Sequence, residues 1–142
     1  MDVNAKDSNG ETALVKACRG RLQQVALEIF KRDSVDVNIK DSSLGFTTLH
    51  GACFNKLPDV ALEILKQDDA DVNAIFAGGR TTLQMACYNN LPDVALEILK
   101  RDNVDVYAKN KFGEIALDIA RRQGCLDIAR HLDEYAERQK YR

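Results

Sequence analysis

Cysteine and histidine are the residues of this chain whose chemistry could support catalysis or bind a metal ion. Cys18, Cys53 and Cys87 recur at intervals of 34 or 35 residues, and the sequence has no Cys-x2-Cys pair of the kind that zinc sites use. Equivalent positions on stacked helices lie ~10 Å apart, whereas a disulfide needs Cα atoms within ~7 Å of each other. We therefore expect these residues and Cys125 to be buried thiols, and we predict no metal site and no cofactor.

A cysteine nucleophile would also need a histidine base within reach. His50 follows a Thr-Thr-Leu segment, and His131 takes a helical position that glutamate holds at residues 28, 63 and 97. Neither histidine lies in register with the cysteines. The sequence also lacks a glycine-rich phosphate loop and a recognisable pair of catalytic carboxylates. We predict that the protein has no catalytic residues and is not an enzyme.

The overall composition narrows the partners and the compartment. The chain has 142 residues and a formal net charge of −2. It lacks the stripe of basic residues that binding to a nucleic acid or an anionic membrane would need. No apolar run approaches the ~20 residues of a membrane-spanning helix, and the first residues lack a signal-peptide pattern. We expect a single domain over residues 1–142, located in the cytoplasm or the nucleus, with neither a nucleic acid nor a membrane as partner.

The sequence contains an internal repeat, and this repeat predicts the helices that would position any functional residue. Asp-Val-Asn occurs at residues 2–4, 36–38 and 71–73, and Asp-Val-Tyr at 105–107. The nine residues LPDVALEIL occur at both 57–65 and 91–99. A period of this length with one strong helical segment per unit is typical of a stacked solenoid. We divide the chain into repeats at approximately residues 2–35, 36–70, 71–104 and 105–136, followed by a charged tail at 137–142.

Each repeat carries signals for two helices joined by turns. Glycine at positions such as Gly45 suits a tight hairpin-like turn, and a threonine such as Thr47 can then cap a helix with its hydroxyl. First helices of about eight to nine residues should follow, beginning at residues 13, 48, 82 and 116. Pro58 and Pro92 suit the first position of the second helices, because the missing N–H has no partner there.

The residues of repeat two resemble the ankyrin repeat. Asp41, Gly45, residues 47–50, the Ala-Cys pair at 52–53 and residues 71–73 follow that family's D-x-x-G-x-T-P-L-H-x-A-A pattern and its closing D-V-N. The resemblance covers essentially all 142 residues, although threonine or alanine replaces the family's proline. It implies an all-α ankyrin-repeat solenoid of four helix-turn-helix units with hairpin-like loops. It also implies that His50 ties turns together by hydrogen bonds.

The two ends differ from the centre in the column of residues that should stack against the next repeat. Leu27, Leu62 and Leu96 align with Arg130 in the last repeat, and the leucine or phenylalanine three residues later aligns with Asp133. We therefore expect a polar C-terminal cap, a complete chain and a monomer. In the first repeat, Lys16 and Gln23 suggest a weaker polar cap. Leu62 should be buried between two repeats.

The aromatic residues suggest where a partner binds. Six of the nine fall in turns or at the exposed edge of first helices, which in ankyrin repeats line a concave groove that holds partners. Large apolar residues in turns are unusual unless they form a binding surface. Phe46, Phe76 and Phe112 could alternatively pack beneath neighbouring hairpins. The predicted partner-binding residues are Leu44, Phe46, Phe54, Asn55, Ile75, Phe76, Arg80, Tyr88, Asn89, Phe112 and Arg122.

The function implied is a non-enzymatic protein–protein interaction with a protein of unknown identity. By family resemblance the chain would act as an inhibitor or an adaptor, and its repeats also resemble those of host-directed effectors. The rim of the groove is basic, which would suit a partner segment with apolar anchors and some acidic residues. The alternative is a structural spacer or scaffold segment of a larger assembly, without a ligand of its own in the groove.

Overall fold

The computed structural model describes residues 2–31, 34–42 and 44–141, so Met1 and Arg142, at the ends of the predicted domain and tail, lie outside the described residues. Its described residues form eight α-helices in four pairs, one pair per repeat. The pairs are α1 (Ala13–Arg19) with α2 (Gln23–Phe30), α3 (Thr48–Phe54) with α4 (Pro58–Leu65), α5 (Thr82–Tyr88) with α6 (Pro92–Leu99), and α7 (Ala116–Arg122) with α8 (Leu126–Gln139). The odd-numbered helices pack on one another in one row and the even-numbered helices in a second row. The prediction of an all-α ankyrin-type solenoid is confirmed.

The first helices begin at the predicted residues but are shorter than predicted. The hydroxyls of Thr12, Thr47 and Thr81 accept the backbone N–H three residues ahead at 3.3, 3.4 and 3.2 Å, as the N-cap prediction requires. Each first helix has seven residues. The chain turns sharply soon after the helix, through a residue with positive φ such as Lys56 (58°) or Asn90 (53°). That turn directs the chain into the second helix.

The core lies between the two rows of helices. Val60, Ile64, Val94 and Ile98 of the second helices belong to this core and are fully buried. Leu62 was predicted to be buried in the same way, but it is only half-buried and packs against the edge of the core. Two residues further along the helix, the side chain turns inward instead. The buried face of α4 therefore includes Ile64 and not Leu62.

The four cysteines are buried free thiols, as predicted. Burial raises the pKa of Cys18, Cys53 and Cys87 to about 12, because the thiolate would lose its hydration. The thiol of Cys125 donates a hydrogen bond to the backbone carbonyl of Cys87 at 3.2 Å.

Side-chain amides join the loops of successive repeats. The Asn38 side chain donates to the Asp69 carbonyl at 2.8 Å and accepts from the Asp71 N–H at 2.8 Å. Asn73 repeats this arrangement one repeat further on, with Asn103 and Asp105. The aspartate–valine–asparagine motif is thus a ladder that links each repeat to the next. In the fourth repeat Tyr107 replaces the asparagine.

The two terminal faces of the stack differ in polarity. Arg121, Arg130 and Asp133 are exposed in the last repeat, and Arg121 lies 3.2 Å from Asp133. At the other end, Leu22 is 53% exposed and Val25 is 48% exposed. Their equivalents in repeats two to four are buried, since a preceding repeat covers them.

The polar cap expected on the first repeat is only partly present: Lys16 is exposed and pairs with Asp7 at 2.6 Å, but Leu22 and Val25 leave an apolar face uncovered. Gln23 does not cover that face, because its side-chain amide donates to Asp59 of the next repeat at 3.4 Å.

None of the helices in the described part of the chain is both long and apolar enough to cross a membrane.

Candidate protein-binding groove

An open groove of about 500 Å³ lies between the third and fourth repeats, on the side of the first helices and hairpins. Phe54, Tyr88 and Phe112 stand around it and are 49%, 54% and 71% exposed. Met85 and Ile119 form its buried floor. Three large aromatic rings thus remain accessible to solvent around an apolar depression, which is the composition of a protein-binding surface.

Phe54 and Tyr88 owe their exposure to their position at the last residue of α3 and α5. At that position about half of each ring is accessible to solvent, and neither ring belongs to the buried core. The amide of Asn89 donates to the backbone carbonyls of Cys53 at 2.9 Å and Phe54 at 3.2 Å. These two bonds hold the end of α3 beside Asn89, and Asn89 directly follows Tyr88. The Phe54 and Tyr88 rings are therefore held next to each other in neighbouring repeats.

The groove also contains one carboxylate, which is already satisfied. Glu114 accepts a hydrogen bond from the Asn110 amide at 3.1 Å and two from the Arg122 guanidinium at 3.0 and 3.3 Å. The bonds from Asn110 and from Arg122 lower the pKa of Glu114. Glu114 and Arg122 therefore form a neutral pair at one edge of the groove.

Arg80 also lines the groove, but it has a different partner. Its guanidinium carbon is 5.6 Å from the centre of the Phe76 ring, a cation–π distance. Among the described residues it forms no salt bridge with a carboxylate. Arg80 is therefore the cation lining the groove whose charge is not balanced by a partner within the described part of the chain.

A family model described as ankyrin repeats (3 copies) matches residues 1–76. The chain belongs to the ankyrin-repeat family. Ankyrin repeats are generally protein–protein interaction modules and are typically non-enzymatic. The third and fourth ankyrin repeats extend beyond the matched residues, and they have the same helix pairs as the first two. No curated protein matches the chain.

Two predicted site residues of this ankyrin-repeat chain are not surface residues. Phe46 and Phe76 are each only 6% exposed, and their ring centres lie 5.5 Å apart in an edge-to-face contact. The Phe76 ring also packs on the imidazole of His50, with centroids 4.7 Å apart. The hairpins of repeats two and three close over these rings, so the expectation that they present a binding surface is corrected. They form a minor core beneath the hairpins.

His50 holds this minor core together, in the role that the resemblance implied. Its Nδ1 accepts the Thr47 N–H at 3.1 Å, which leaves the proton on Nε2, and Nε2 donates to the Ala74 carbonyl at 2.9 Å. The side chain is fully buried, and desolvation lowers its pKa to about 4. Gln84 makes the matching bond to the Ala108 carbonyl at 2.9 Å in the next ankyrin repeat.

The other predicted site residues divide between the groove and its surroundings. Leu44 and Ile75 are exposed on neighbouring hairpins but do not line the groove. Asn55 and Asn89 are half-buried, and the Asn55 amide donates to the Gly51 carbonyl at 3.0 Å. These two asparagines therefore close the ends of first helices. Five predicted residues come together around the groove: Phe54, Arg80, Tyr88, Phe112 and Arg122.

Sequence reasoning missed the floor of the groove. Met85 and Ile119 align with Lys16 and Gly51, so this column changes size and polarity from repeat to repeat. The column that follows it keeps alanine in all four repeats, at residues 17, 52, 86 and 120. The change of residue type at this one position of the repeat was the available signal that the column faces a ligand surface rather than the core.

Within the described ranges, no group of three or more His, Cys, Asp or Glu residues is arranged to hold a metal ion.

Proposed function

We propose that this ankyrin-repeat chain binds a partner protein through the face formed by its first helices and hairpins, and that it acts without catalysis. The observation that carries the proposal is the set of three accessible aromatic rings around the groove between repeats three and four. Large aromatic side chains supply much of the binding energy in protein interfaces. Leaving three of them exposed is unfavourable in water unless a partner covers them.

The chemistry of the interior fits a binding role better than a catalytic one. The three aligned cysteines have pKa values of about 12, so at neutral pH very little reactive thiolate is present. The buried His50 uses both ring nitrogens in hydrogen bonds that hold the hairpins. The groups that could perform chemistry are thus committed to the fold, and the accessible groups are aromatic.

We extend the proposal to a finer role for the same surface. A small repeat domain that covers a partner segment without altering it covalently acts as an inhibitor or an adaptor, and a host-directed effector would use the groove in the same way. We propose a monomer that works in the cytoplasm or nucleus, with neither nucleic acid nor membrane as partner. Reduced, buried thiols suit such a reducing compartment.

A structural spacer or scaffold segment is the second candidate. Leu22 and Val25 favour it, because they expose on the first repeat an apolar face that other repeats bury by stacking. A scaffold segment could use this face to join a neighbouring element. The two candidates predict different sensitive residues, so they can be separated by mutation.

Affinity capture followed by quantitative mass spectrometry tests the proposal. The baits are the native chain, a groove variant with Phe54→Ala and Tyr88→Ala, and a control with Lys66→Ala and Lys100→Ala on the second helices. The control removes two exposed cations that pair with Glu63 and Glu97.

We expect the groove variant to lose partners that the native chain and the control both retain. All three proteins should give the same circular dichroism spectrum. Equal capture by the native chain and the groove variant would contradict the proposal. Loss of capture on changing Leu22 and Val25 alone would favour the scaffold segment.

A further inference from the structure

The groove between repeats three and four has an uneven charge distribution that specifies its occupant. Resting on the function proposed above, we propose that it binds a peptide segment of a partner in which an apolar side chain is followed or preceded by a carboxylate. The apolar side chain lies on Met85 and Ile119, between the rings of Tyr88 and Phe112. The carboxylate pairs with Arg80 and Lys111.

The first line of support compares one position across the four repeats. Glu11, Phe46, Arg80 and Glu114 are equivalent, as are Arg19, Phe54, Tyr88 and Arg122 eight residues later in each repeat. In the first and fourth repeats these two positions form an ion pair, Glu11 with Arg19 and Glu114 with Arg122. In the third repeat the acid has become Arg80 and the base has become Tyr88. The internal partner is therefore lost, and the cation faces the groove.

A second cation lies beside Arg80. A Cβ atom placed on Gly78 would meet the Nε of Arg80 at 3.5 Å and the Cδ of Lys111 at 3.8 Å, so the two side chains flank this glycine. The Lys111 ammonium is 5.1 Å from the centre of the Phe112 ring. Like Arg80, Lys111 has no salt bridge with a described carboxylate. Arg80 lines the groove, and Lys111 lies just outside its lining with its stem beside Arg80. A partner carboxylate at this end of the groove could be held by charge-assisted hydrogen bonds from both side chains.

The opposite sign of partner charge is disfavoured. Glu114 is the carboxylate lining the groove, and it is already held by Asn110 and Arg122 at 3.0–3.3 Å. A partner cation would have to displace Arg122 from this pair. A partner anion would instead meet Arg80 and Lys111, which form no salt bridge with a carboxylate in the described part of the chain.

The open shape favours a peptide over a small molecule. Sites for small molecules usually bury most of the ligand in a cavity. Here the flanking rings of Tyr88 and Phe112 are more than half exposed, so they form walls with an open top. A peptide can lay one side chain on the buried floor while the rest of the segment covers the rings. Apolar contact supplies affinity, and the charge pair fixes the direction and register of the segment.

Selection from a displayed library of random peptides tests this inference. The baits are the native chain, an Arg80→Glu/Lys111→Glu variant, and a Lys66→Glu/Lys100→Glu variant with the same change in net charge on the second helices. We expect the native chain and the Lys66/Lys100 variant to select peptides with Asp or Glu at a fixed distance from Leu, Met, Phe or Tyr. The Arg80/Lys111 variant should select Lys or Arg at that position.

A direct measurement then follows with one selected peptide. Changing its acidic residue to Gln, or changing Arg80 to Gln, should each weaken binding by about tenfold, and the two changes together should cost little more than one. Binding of the native peptide should also weaken as salt concentration rises.

The outcomes separate this inference from the function on which it rests. Selected peptides that need Tyr88 and Phe112, but show no acidic preference or no reversal with the Arg80/Lys111 variant, would overturn the charge assignment alone. An equal change in preference with the Lys66/Lys100 variant would overturn it too, because net charge would then be the cause. Failure to select any peptide, or equal binding by a Tyr88→Ala/Phe112→Ala variant that retains its circular dichroism spectrum, would overturn both proposals.

Discussion

The central and terminal repeats place different chemistry at the same two positions of a common frame. In repeats one and four, the last residue of the first helix is an arginine paired with a glutamate from the hairpin. In repeats two and three, the same residue is Phe54 or Tyr88, with its ring about half exposed. Both solutions occur on helices of the same length with equivalent ends. The fold therefore accepts either an ion pair or an aromatic ring there, which indicates that the choice serves another purpose.

The same contrast continues inward from the surface. His50 and Gln84 in the central repeats reach the carbonyls of Ala74 and Ala108 in the next hairpin. At the equivalent position the first repeat has Val15 and the fourth has Asp118. Asp118 instead accepts the backbone N–H of Ile115 at 3.0 Å, within its own repeat. The central repeats are thus tied to their neighbours by side-chain hydrogen bonds, and the bond from Gln84 joins the two repeats that form most of the groove.

The largest expected effect contrasts the central core with the edge of the first repeat. Ile64 is fully buried, whereas Ile29 at the equivalent position is half-buried. Replacing Ile64 with Ala should lower the free energy of unfolding by ~2–5 kcal/mol, because it removes buried methyl groups and leaves a cavity. Ile29→Ala should cost clearly less. Urea unfolding of both variants measures this difference, and equal losses would mean that the first repeat is as tightly packed as the second.

A smaller effect should separate His50 from its counterpart Gln84 by pH. Burial lowers the pKa of His50 to about 4, against about 6.5 in an unfolded chain. Between these values the unfolded state binds a proton that the folded state does not, so stability falls as the pH drops below about 6.5. This group alone should make the protein about 2 kcal/mol less stable at pH 5 than at pH 7.

His50→Gln is the matched control for that prediction, because glutamine already makes the equivalent bonds at position 84. The variant should fold and should lack this part of the pH dependence, while the carboxylates titrate as before. Thermal or urea unfolding at several pH values measures it. Identical pH profiles for the two proteins would show that His50 is not held neutral.

The smallest effect concerns the ion pairs of the terminal repeats. Arg19 pairs with Glu11, and its guanidinium also lies 5.5 Å from the centre of the Phe46 ring. Because the Arg19 side chain is nearly half exposed, Arg19→Ala should lower the unfolding free energy by less than ~1 kcal/mol. Urea unfolding at low and high salt would check this. A larger loss, insensitive to salt, would show that the pair is structural and would weaken the contrast with Phe54 and Tyr88.

Much of the fold could be predicted because the repeats supply four copies of the same signals. Threonine caps, prolines at the start of α4 and α6, and the stacked cysteines all occur where the pattern placed them. The core column was misplaced by two residues, from Ile64 to Leu62, because both positions are apolar in the central repeats. Choosing between them requires the angle at which α4 meets its neighbours, which a repeat pattern does not contain.

The candidate site could be predicted only in part. Phe54 and Tyr88 occupy a first-helix position whose exposure follows from helical geometry. Phe46 and Phe76 lie in hairpins, and their burial depends on how adjacent hairpins close over His50. That closure is a tertiary event between residues of different repeats. The polar cap expected at the first repeat is present at Lys16 but not at Gln23, whose amide donates to Asp59 of the next repeat.

The central claim is that the exposed rings of the central repeats bind the partner. The most direct test is isothermal titration of one captured partner protein into the native chain and into the Phe54→Ala/Tyr88→Ala variant. We expect the Kd of the variant to rise at least ~30-fold, equivalent to ~2 kcal/mol or more. The urea midpoints of the two proteins should be nearly equal, since both rings lie outside the core. An unchanged Kd for a folded variant would place the binding surface elsewhere and contradict the account.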